Sequence, residues 1–403
     1  MSDTTIPGWK NTLLGSEITL NMGQSPPSNT YNTERKGLPF FQGKADFGVK
    51  YPVASVWCDS PQKTADQGSI LFSVRAPVGE ININTEKSCI GRGLAAIKAN
   101  QMSNVYLFYL LDFKKIDFHR LAQGSTFEAI NGSQLKEVEV CLPPKREQQK
   151  IAEILTSVDE VIENTQSQIN KLEDLKKATI NELLTKGIGH TEFKATEIGR
   201  IPRSWDIVKF DNVVDLSVGY AFKSSLFNTC GIRLLRGENV GYGQLNWDSV
   251  ENINERFVED YKNYLLKNGD IVIGMDRTFT KSGVKISKVQ NKDLPCLLVQ
   301  RVGKFITQFF TSDFLWHLLR SDFYLRQLIV QQKGMDIPHL SKNDILSPIV
   351  PLVPKSEQLL MTKVLDEIDK RIENLKIKDK KTANLKQSLM QDLLTGKVRV
   401  TVN

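Results

Sequence analysis

Four glycine-containing stretches carry side chains suited to binding a patterned polar surface: Gln42-Gly43-Lys44-Ala45-Asp46, Gln123-Gly124-Ser125-Thr126, Arg236-Gly237-Glu238-Asn239 and Gln331-Gln332-Lys333-Gly334. Arg, Lys, Asn, Gln and Glu present the donors and acceptors that match the edges of nucleic-acid bases. Arg75, Arg92, Arg277, Lys281 and Arg301 are suited to a phosphate or a guanine edge. The candidate contact set is Gln42, Lys44, Arg75, Arg92, Gln123, Ser125, Thr126, Arg236, Glu238, Asn239, Arg277, Lys281, Arg301, Gln332, Lys333 and Asp336. Any one such loop is equally an ordinary solvated turn. Recurrence at matching places in both halves keeps a binding role open beside that reading.

Groups for catalysis are harder to find. A Walker loop needs a glycine five residues before a Gly-Lys pair, and Gly43-Lys44, Gly303-Lys304 and Gly396-Lys397 all lack one. His119, His190, His317 and His339 show no short metal-ligand spacing. His317 lies in a Leu-Trp-His-Leu-Leu run, which predicts a packed helical histidine rather than a catalytic base. There is no Pro-Asp dipeptide of the common nuclease carboxylate motif, and no Asn/Asp-Pro-Pro-aromatic run of the amino-methyltransferases. These patterns favour a binding protein over an enzyme, and predict no metal site.

Net charge is +7, which permits a nucleic-acid partner without requiring one. Cys58, Cys89, Cys141, Cys230 and Cys296 are scattered and contain no CxxC pair, as expected for reduced thiols. No run of about eighteen apolar residues and no charged lead before an apolar stretch occurs, so a cytoplasmic protein without a membrane segment is expected.

The elements that must position the loops come in duplicate. Lys145, Glu147, Gln148, Leu155, Asp159, Ile162, Glu163, Asn164, Lys171, Leu175, Lys176, Leu183, Leu184 and Thr185 all recur 210 positions later, from Lys355 to Thr395, without a gap. Ile151, Leu155, Val158, Ile162, Thr165, Ile169 and Leu172 follow heptad spacing, and the phase then shifts to Leu175, Thr179 and Leu183. The second copy runs Met361, Leu365, Ile368, Ile372 and Leu375, breaks at Asp379 and resumes at Leu385, Leu389 and Leu393. Each starts after prolines (Pro143 and Pro144; Pro351 and Pro354) and stops near Gly187 or Gly396. Two helices of about 60 Å are predicted, each the other's partner. Packing of each helix on its own globular segment is the alternative.

Upstream segments correspond more loosely. Ile6-Pro7-Gly8-Trp9 parallels Ile201-Pro202-Arg203-Ser204-Trp205, Gly23 parallels Gly219, and Gly68-Ser69-Ile70-Leu71 parallels Gly269-Asp270-Ile271-Val272 as a turn entering a buried strand. Gly124 and Gly334 return to the offset of the helices. Arg75-Ala76-Pro77-Val78-Gly79 and Met275-Asp276-Arg277-Thr278 follow the two strands, and Arg75 and Arg277 align only approximately.

This ordered double set resembles the DNA-specificity subunit of type I restriction-modification systems. The motifs that carry the likeness are the helix leads Leu142-Pro143-Pro144-Lys145-Arg146-Glu147-Gln148-Gln149 and Pro351-Leu352-Val353-Pro354-Lys355-Ser356-Glu357-Gln358, with the endings Leu183-Leu184-Thr185-Lys186-Gly187 and Leu393-Leu394-Thr395-Gly396-Lys397. The likeness covers essentially the whole chain. It implies an α+β protein: two similar mixed α/β target-recognition domains separated by two long helices that form an antiparallel coiled coil, with internal pseudo-two-fold symmetry. The corresponding division is residues 1–143 (first recognition domain), 144–187 (central helix), 188–200 (linker), 201–350 (second recognition domain), 351–397 (C-terminal helix) and 398–403 (tail). It further implies that each domain reads half of a split sequence in double-stranded DNA, and that the helices set the gap. Two methyltransferase subunits would dock on those helices, and two ATP-dependent restriction subunits would complete the assembly. S-adenosylmethionine, ATP and magnesium would belong to those partners, the chain itself holding no cofactor. The alternatives are a coiled-coil scaffold with two protein-binding ends, or an unrecognised DNA-modifying enzyme.

Overall fold

The structure, a computed structural model, describes residues 6–123, 128–280, 283–330 and 339–401. It divides into two compact units, Met1–Gln166 with Ile377–Asn403, and Ser167–Lys376.

The first unit is built on β1 (Ile18–Met22), β2 (Leu38–Phe41), β3 (Ile70–Ser73), β4 (Ile81–Ile83), β5 (Ser88–Ile90) and β6 (Leu94–Ala99). One sheet has the order β1-β6-β3-β4, with Ile97 of β6 opposite Leu20 on one side and Ile70 on the other. In the other sheet β2 runs parallel to β5, and the short strands Trp57–Cys58 and Thr64–Ala65 flank the pair. All four residues of β3 are buried, as an unbroken apolar run covered on both faces should be.

The second unit repeats this plan with β7 (Asp215–Val218), β8 (Ile232–Leu235), β9 (Ile271–Gly274), β10 (Ile286–Lys288), β11 (Cys296–Leu298) and β12 (Val302–Ile306). Its sheet order is β7-β12-β9-β10, and β8 lies parallel to β11. The paired glycines mark where the plan tolerates no side chain. A Cβ on Gly23 would lie 2.1 Å from the carbonyl oxygen of Gly91, and one on Gly219 would lie 2.3 Å from that of Val299. Backbone cannot retreat as a side chain can. Gly23→Ala and Gly219→Ala are therefore expected to cost about 3 kcal/mol each, the upper end for overpacking, whereas Gly43→Ala, with open space around it, should be near neutral. Denaturant unfolding checks this: equal midpoints for Gly23→Ala and Gly43→Ala would show that the turn is slack.

Four helices matter to the site: α1 (Asn104–Phe113), α2 (Lys145–Lys186), α3 (Ser312–Leu319) and α4 (Lys355–Leu394). Helix α2 starts in the first unit and ends in the second, and α4 does the reverse. Both close at a left-handed glycine, Gly187 at φ 65° and Gly396 at φ 68°, the residue type this cap favours. Their leads carry Gln148 and Gln358, whose side-chain oxygens accept the Ser103 and Thr311 backbone N–H groups at 3.2 and 2.8 Å. Ser103 and Thr311 are the N-caps of α1 and α3. The repeated glutamine thus ties each long helix to a short one.

Within each unit, stretches of α2 and α4 pack antiparallel. In the second unit Glu173 pairs with Lys376 and Lys176 with Asp369, so one number rises as the other falls. The first unit repeats the latter pair as Asp159 with Lys386, 2.7 Å apart. Position by position, Asp159 corresponds to Asp369 and Lys176 to Lys386.

The expected apolar line changes course at this ion pair. Leu175 and Leu385, expected in the seam, are 51% and 53% exposed. Lys176 and Lys386 turn inward beside them, and Ile180, Leu184 and Met390 are buried. The reason is that the helices serve two partners. Ile151, Ala152 and Leu155 join Tyr106, Tyr109 and Phe118 in the first unit's core, and Met361 and Leu365 join Trp205, Phe210 and Phe314 in the second.

His317 is buried on α3, with Nε2 2.9 Å from an Asp366 carboxylate oxygen. Burial, with Lys176 nearby, lowers its pKa despite the Asp366 hydrogen bond. Among the described residues His317, Asp366 and Asp369 form one group with metal-ligand geometry, but the Lys176 ammonium, 2.6 Å from Asp369 Oδ1, holds the position a cation would take. The matching place in the first unit holds Tyr109, which donates to Asp159 at 2.7 Å. Both clusters anchor helices.

Candidate nucleic-acid interface

Strand ends build the site. In the first unit β2 runs out into Gln42–Asp46, where the Asp46 carboxylate accepts the Gln42 N–H at 2.6 Å and folds the turn back on itself. Beyond β3, the Arg75 carbonyl accepts the Ser73 hydroxyl at 2.8 Å, and Arg92 sits at the turn between β5 and β6. A Cβ on Gly93 would meet the Gln42 carbonyl oxygen at 2.2 Å, so these turns press together only because glycine stands there.

Between them lies a cleft of about 540 Å³ whose lining includes Ser25, Gln42, Lys44, Arg75 and Arg92. Of the candidates from sequence, these last four converge. The lining contains three cations and no carboxylate. It can offer donors to phosphate oxygens or to base acceptors. Gln123 is exposed at the end of the helix Lys115–Ala122, outside that lining. Ser125 and Thr126 lie outside the described residues, as do the glycines Gly124 and Gly334.

Backbone contacts fix how the second unit matches. The Val74 and Met275 N–H groups donate to the carbonyls of Gly93 and Arg301, those of Gln24 and Tyr220 to Ile90 and Leu298, and those of Gly91 and Val299 to Phe41 and Leu235. Arg75 bridges Ala129 as Asp276 bridges His339. The counterpart of Arg75 is therefore Asp276, not Arg277; the counterparts of Gln42, Lys44 and Arg92 are Arg236, Glu238 and Gln300. One scaffold carries two different polar sets.

Charge differs accordingly. Arg236 pairs with Glu238. Asn239 departs from the expectation of a reading residue. It is 1% exposed, and its side chain accepts the Arg236 N–H at 3.1 Å and donates to the Asn246 and Ser249 carbonyls. It holds the turn as Asp46 does in the first unit.

Arg277 is exposed with φ 47°, and Arg301 has φ 65°. Asp276, between the strand end and Arg277, accepts Arg301 Nη1 at 2.8 Å on one oxygen, and its other oxygen is 2.6 Å from His339 Nδ1. Partial burial works against the Asp276 charge, but these two contacts outweigh it and hold its carboxyl below the ordinary range. Lys281, Gln332, Lys333 and Asp336 lie outside the described residues. Sequence reasoning passed over Asp276, His339 and Gln300. The signal for Asp276 was its place two residues past a β-strand, after Met275, which matches Val74-Arg75 after Ser73.

Known proteins share this organisation. The profile of the type I restriction modification DNA specificity domain matches residues 9–174 and again 202–383. The specificity subunit of the type I restriction enzyme MjaVIII of Methanocaldococcus jannaschii is 34% identical over 302 residues, 74% of this chain and 71% of that protein. That of EcoAI of Escherichia coli is 35% identical over 197 residues, 48% of this chain and 33% of its own length. Among solved structures, the S subunit of a type I restriction-modification system from M. genitalium matches with a TM-score of 0.57 at 17% identity, covering 100% of this chain and 98% of that one. A chain from a study of assembly and conformational transition of the type I R-M system matches with a TM-score of 0.59, also at 17% identity, covering 98% and 99%. At such identity these two likenesses concern the fold alone. The duplicated domain, its paired strand-end surfaces and relatives alike across most of its length make this chain a member of the type I restriction-modification DNA-specificity family, the non-catalytic subunits of those complexes.

Proposed function

We propose that each globular domain reads one half of a bipartite sequence in double-stranded DNA through its strand-end surface. Gln42, Lys44, Arg75 and Arg92 serve the first half; Arg236, Glu238, Arg277 and Arg301 serve the second. The observation that carries this reading is the substitution of one polar set for another on a single scaffold: Arg75 by Asp276, Arg92 by Gln300 and Lys44 by Glu238. Two surfaces of one fold with different donor and acceptor patterns suit two different base sequences.

Specificity subunits of type I systems bind DNA and assemble with the other subunits. For this chain the assembly is two methyltransferase subunits on α2 and α4, completed by two ATP-dependent restriction subunits. S-adenosylmethionine, ATP and magnesium reside on those partners, and the complex works in the cytoplasm. No described helix is long and apolar enough to cross a membrane. The domain division is recognition domains at residues 1–143 and 201–350, helical segments at 144–187 and 351–397, a linker at 188–200 and a tail at 398–403.

Exchange of the segment Gly8 to Cys141 for that of another family member tests the reading, with methylated adenines mapped in a genome carrying the complex. One half of the modified sequence is expected to change while the gap stays fixed. Lengthening α2 and α4 by one turn each, about 5 Å, should widen the gap by one or two base pairs at roughly 3.4 Å each and leave both halves intact. An unchanged half-site after the exchange would refute the assignment of reading to the globular domain.

A further inference from the structure

Three non-glycine residues among those described have left-handed backbone, and all three are arginines: Arg35, Arg277 and Arg301. A side chain there is strained, and such strain collects where function over-determines geometry. Arg277 and Arg301 flank one carboxylate. Asp276 precedes Arg277 in the chain and accepts Arg301 Nη1 at 2.8 Å, while its other oxygen lies 2.6 Å from His339 Nδ1.

We propose that Arg301 is a specificity-determining residue of the second domain, reading the paired acceptors of a guanine edge, and that Asp276 is its positioning residue. This rests on the DNA-reading role of the strand-end surface. The guanidinium is a flat fork of five N–H donors, of which the Asp276 contact takes one. Among the described residues the remaining donors meet no partner, and the side chain stays 65% exposed. The carboxylate anchors one corner of the fork at Nη1 and leaves its other donors free for the neighbouring O6 and N7 acceptors of a guanine. A phosphate would gain little from that alignment and would be repelled by the carboxylate beside it. His339 meets the second oxygen, which restrains rotation of the carboxylate. The counterpart turn of the first domain carries Gly93, with Arg75 in the place of Asp276. The first half-site therefore lacks this clamp.

The test is selection of a randomised second half-site by the complex of this chain with its methyltransferase subunits, for wild type, Arg301→Lys, Arg301→Gly and Asp276→Asn. Arg301→Lys keeps the charge and loses the fork. It should lose on the order of 10- to 100-fold discrimination at a single base pair of the second half-site, with the first half-site profile unchanged. Arg301→Gly suits the left-handed backbone and should lose the same discrimination while keeping the unfolding midpoint. Asp276→Asn should weaken discrimination at that same base pair, less severely. Uniform weakening over all sequences with a salt slope reduced by about one would identify a phosphate contact and overturn the proposal, as would an unaltered profile. If exchange of the whole second domain failed to alter the second half-site, the DNA-reading role itself would fall, a separate outcome.

Discussion

Leu365→Asp is expected to unfold the second unit while leaving the first folded, and Leu155→Asp to do the converse. Both leucines are fully buried. Truncating such a side chain to alanine costs about 2–5 kcal/mol, and a buried unpaired carboxylate adds several more or protonates at comparable expense. The sum reaches the whole stability of an ordinary domain, about 5–15 kcal/mol. Leu155 packs with Tyr106, Tyr109 and Ile151 in one core, and Leu365 with Trp205, Phe314 and Met361 in another. The repeat predicts a shared helical interface instead, in which the two substitutions would act alike. Amide exchange followed by mass spectrometry separates these outcomes. Loss of protection in both units from either substitution would show that the helices couple the cores into one cooperative block.

How far the helices could be read in advance depends on what each residue touches. Punctuation by Pro143, Pro144, Gly187 and Gly396 is local chemistry, and the helices run between those marks. Leu175 and Leu385 turned out exposed because heptad spacing assumes that a helix meets only another helix. Here a globular core claims part of each helix, and half-buried ion pairs take the next place along. Asp159, Lys176, Asp369 and Lys386 stand out as repeated identities, yet each pair joins one copy of the repeat to the other. Spacing within one copy cannot reveal such a partner.

The binding surface shows the same division. Gln42, Lys44, Arg75 and Arg92 were recognisable by type, but their convergence follows from contacts between distant segments: parallel pairing of β2 with β5 brings Gln42 and Lys44 to Arg92, and pairing of β3 with β6 brings Arg75. In sequence Arg75 and Arg277 align only approximately, as arginines near equivalent strands. Backbone hydrogen bonds put Asp276 there instead. Asn239 misled for a physical reason as well: the amide that can read a base can equally satisfy the backbone of its own turn, and burial selects the second use.

Glu147→Ala should be the most damaging substitution of a charged residue in the first unit. Its carboxylate accepts Trp9 Nε1 at 3.2 Å, Arg399 Nε at 2.8 Å and Arg399 Nη2 at 2.9 Å. Glu357 does the same work in the second unit with different donors, accepting Trp205 Nε1 at 3.0 Å and the Ile188 N–H at 2.7 Å, with His190 Nε2 3.0 Å away. Each glutamate therefore fastens the tryptophan at the start of its repeated globular segment to the helix lead and to the chain beyond a helix end. Breaking a buried ion pair costs about 3–5 kcal/mol. Glu147 is only 5% exposed but Arg399 is 43% exposed and regains water when its partner is lost, so about 2–3 kcal/mol is expected. Burial alone would raise the Glu147 pKa, but the Arg399 and Val400 contacts and the Trp9 indole outweigh it and leave the carboxyl below its ordinary value. A depressed folded-state value means that this stabilisation is complete above the unfolded carboxyl pKa, about 4.3, and disappears as pH falls through the folded one. The stability gap between wild type and Glu147→Ala should therefore be full at pH 7 and shrink in acid below about pH 4. Denaturant titrations of both proteins at pH 7 and in acid measure that gap directly. A gap that stayed constant or widened in acid would mean that Glu147 contributes through packing, and that its charge does not hold Trp9 and Arg399 in place.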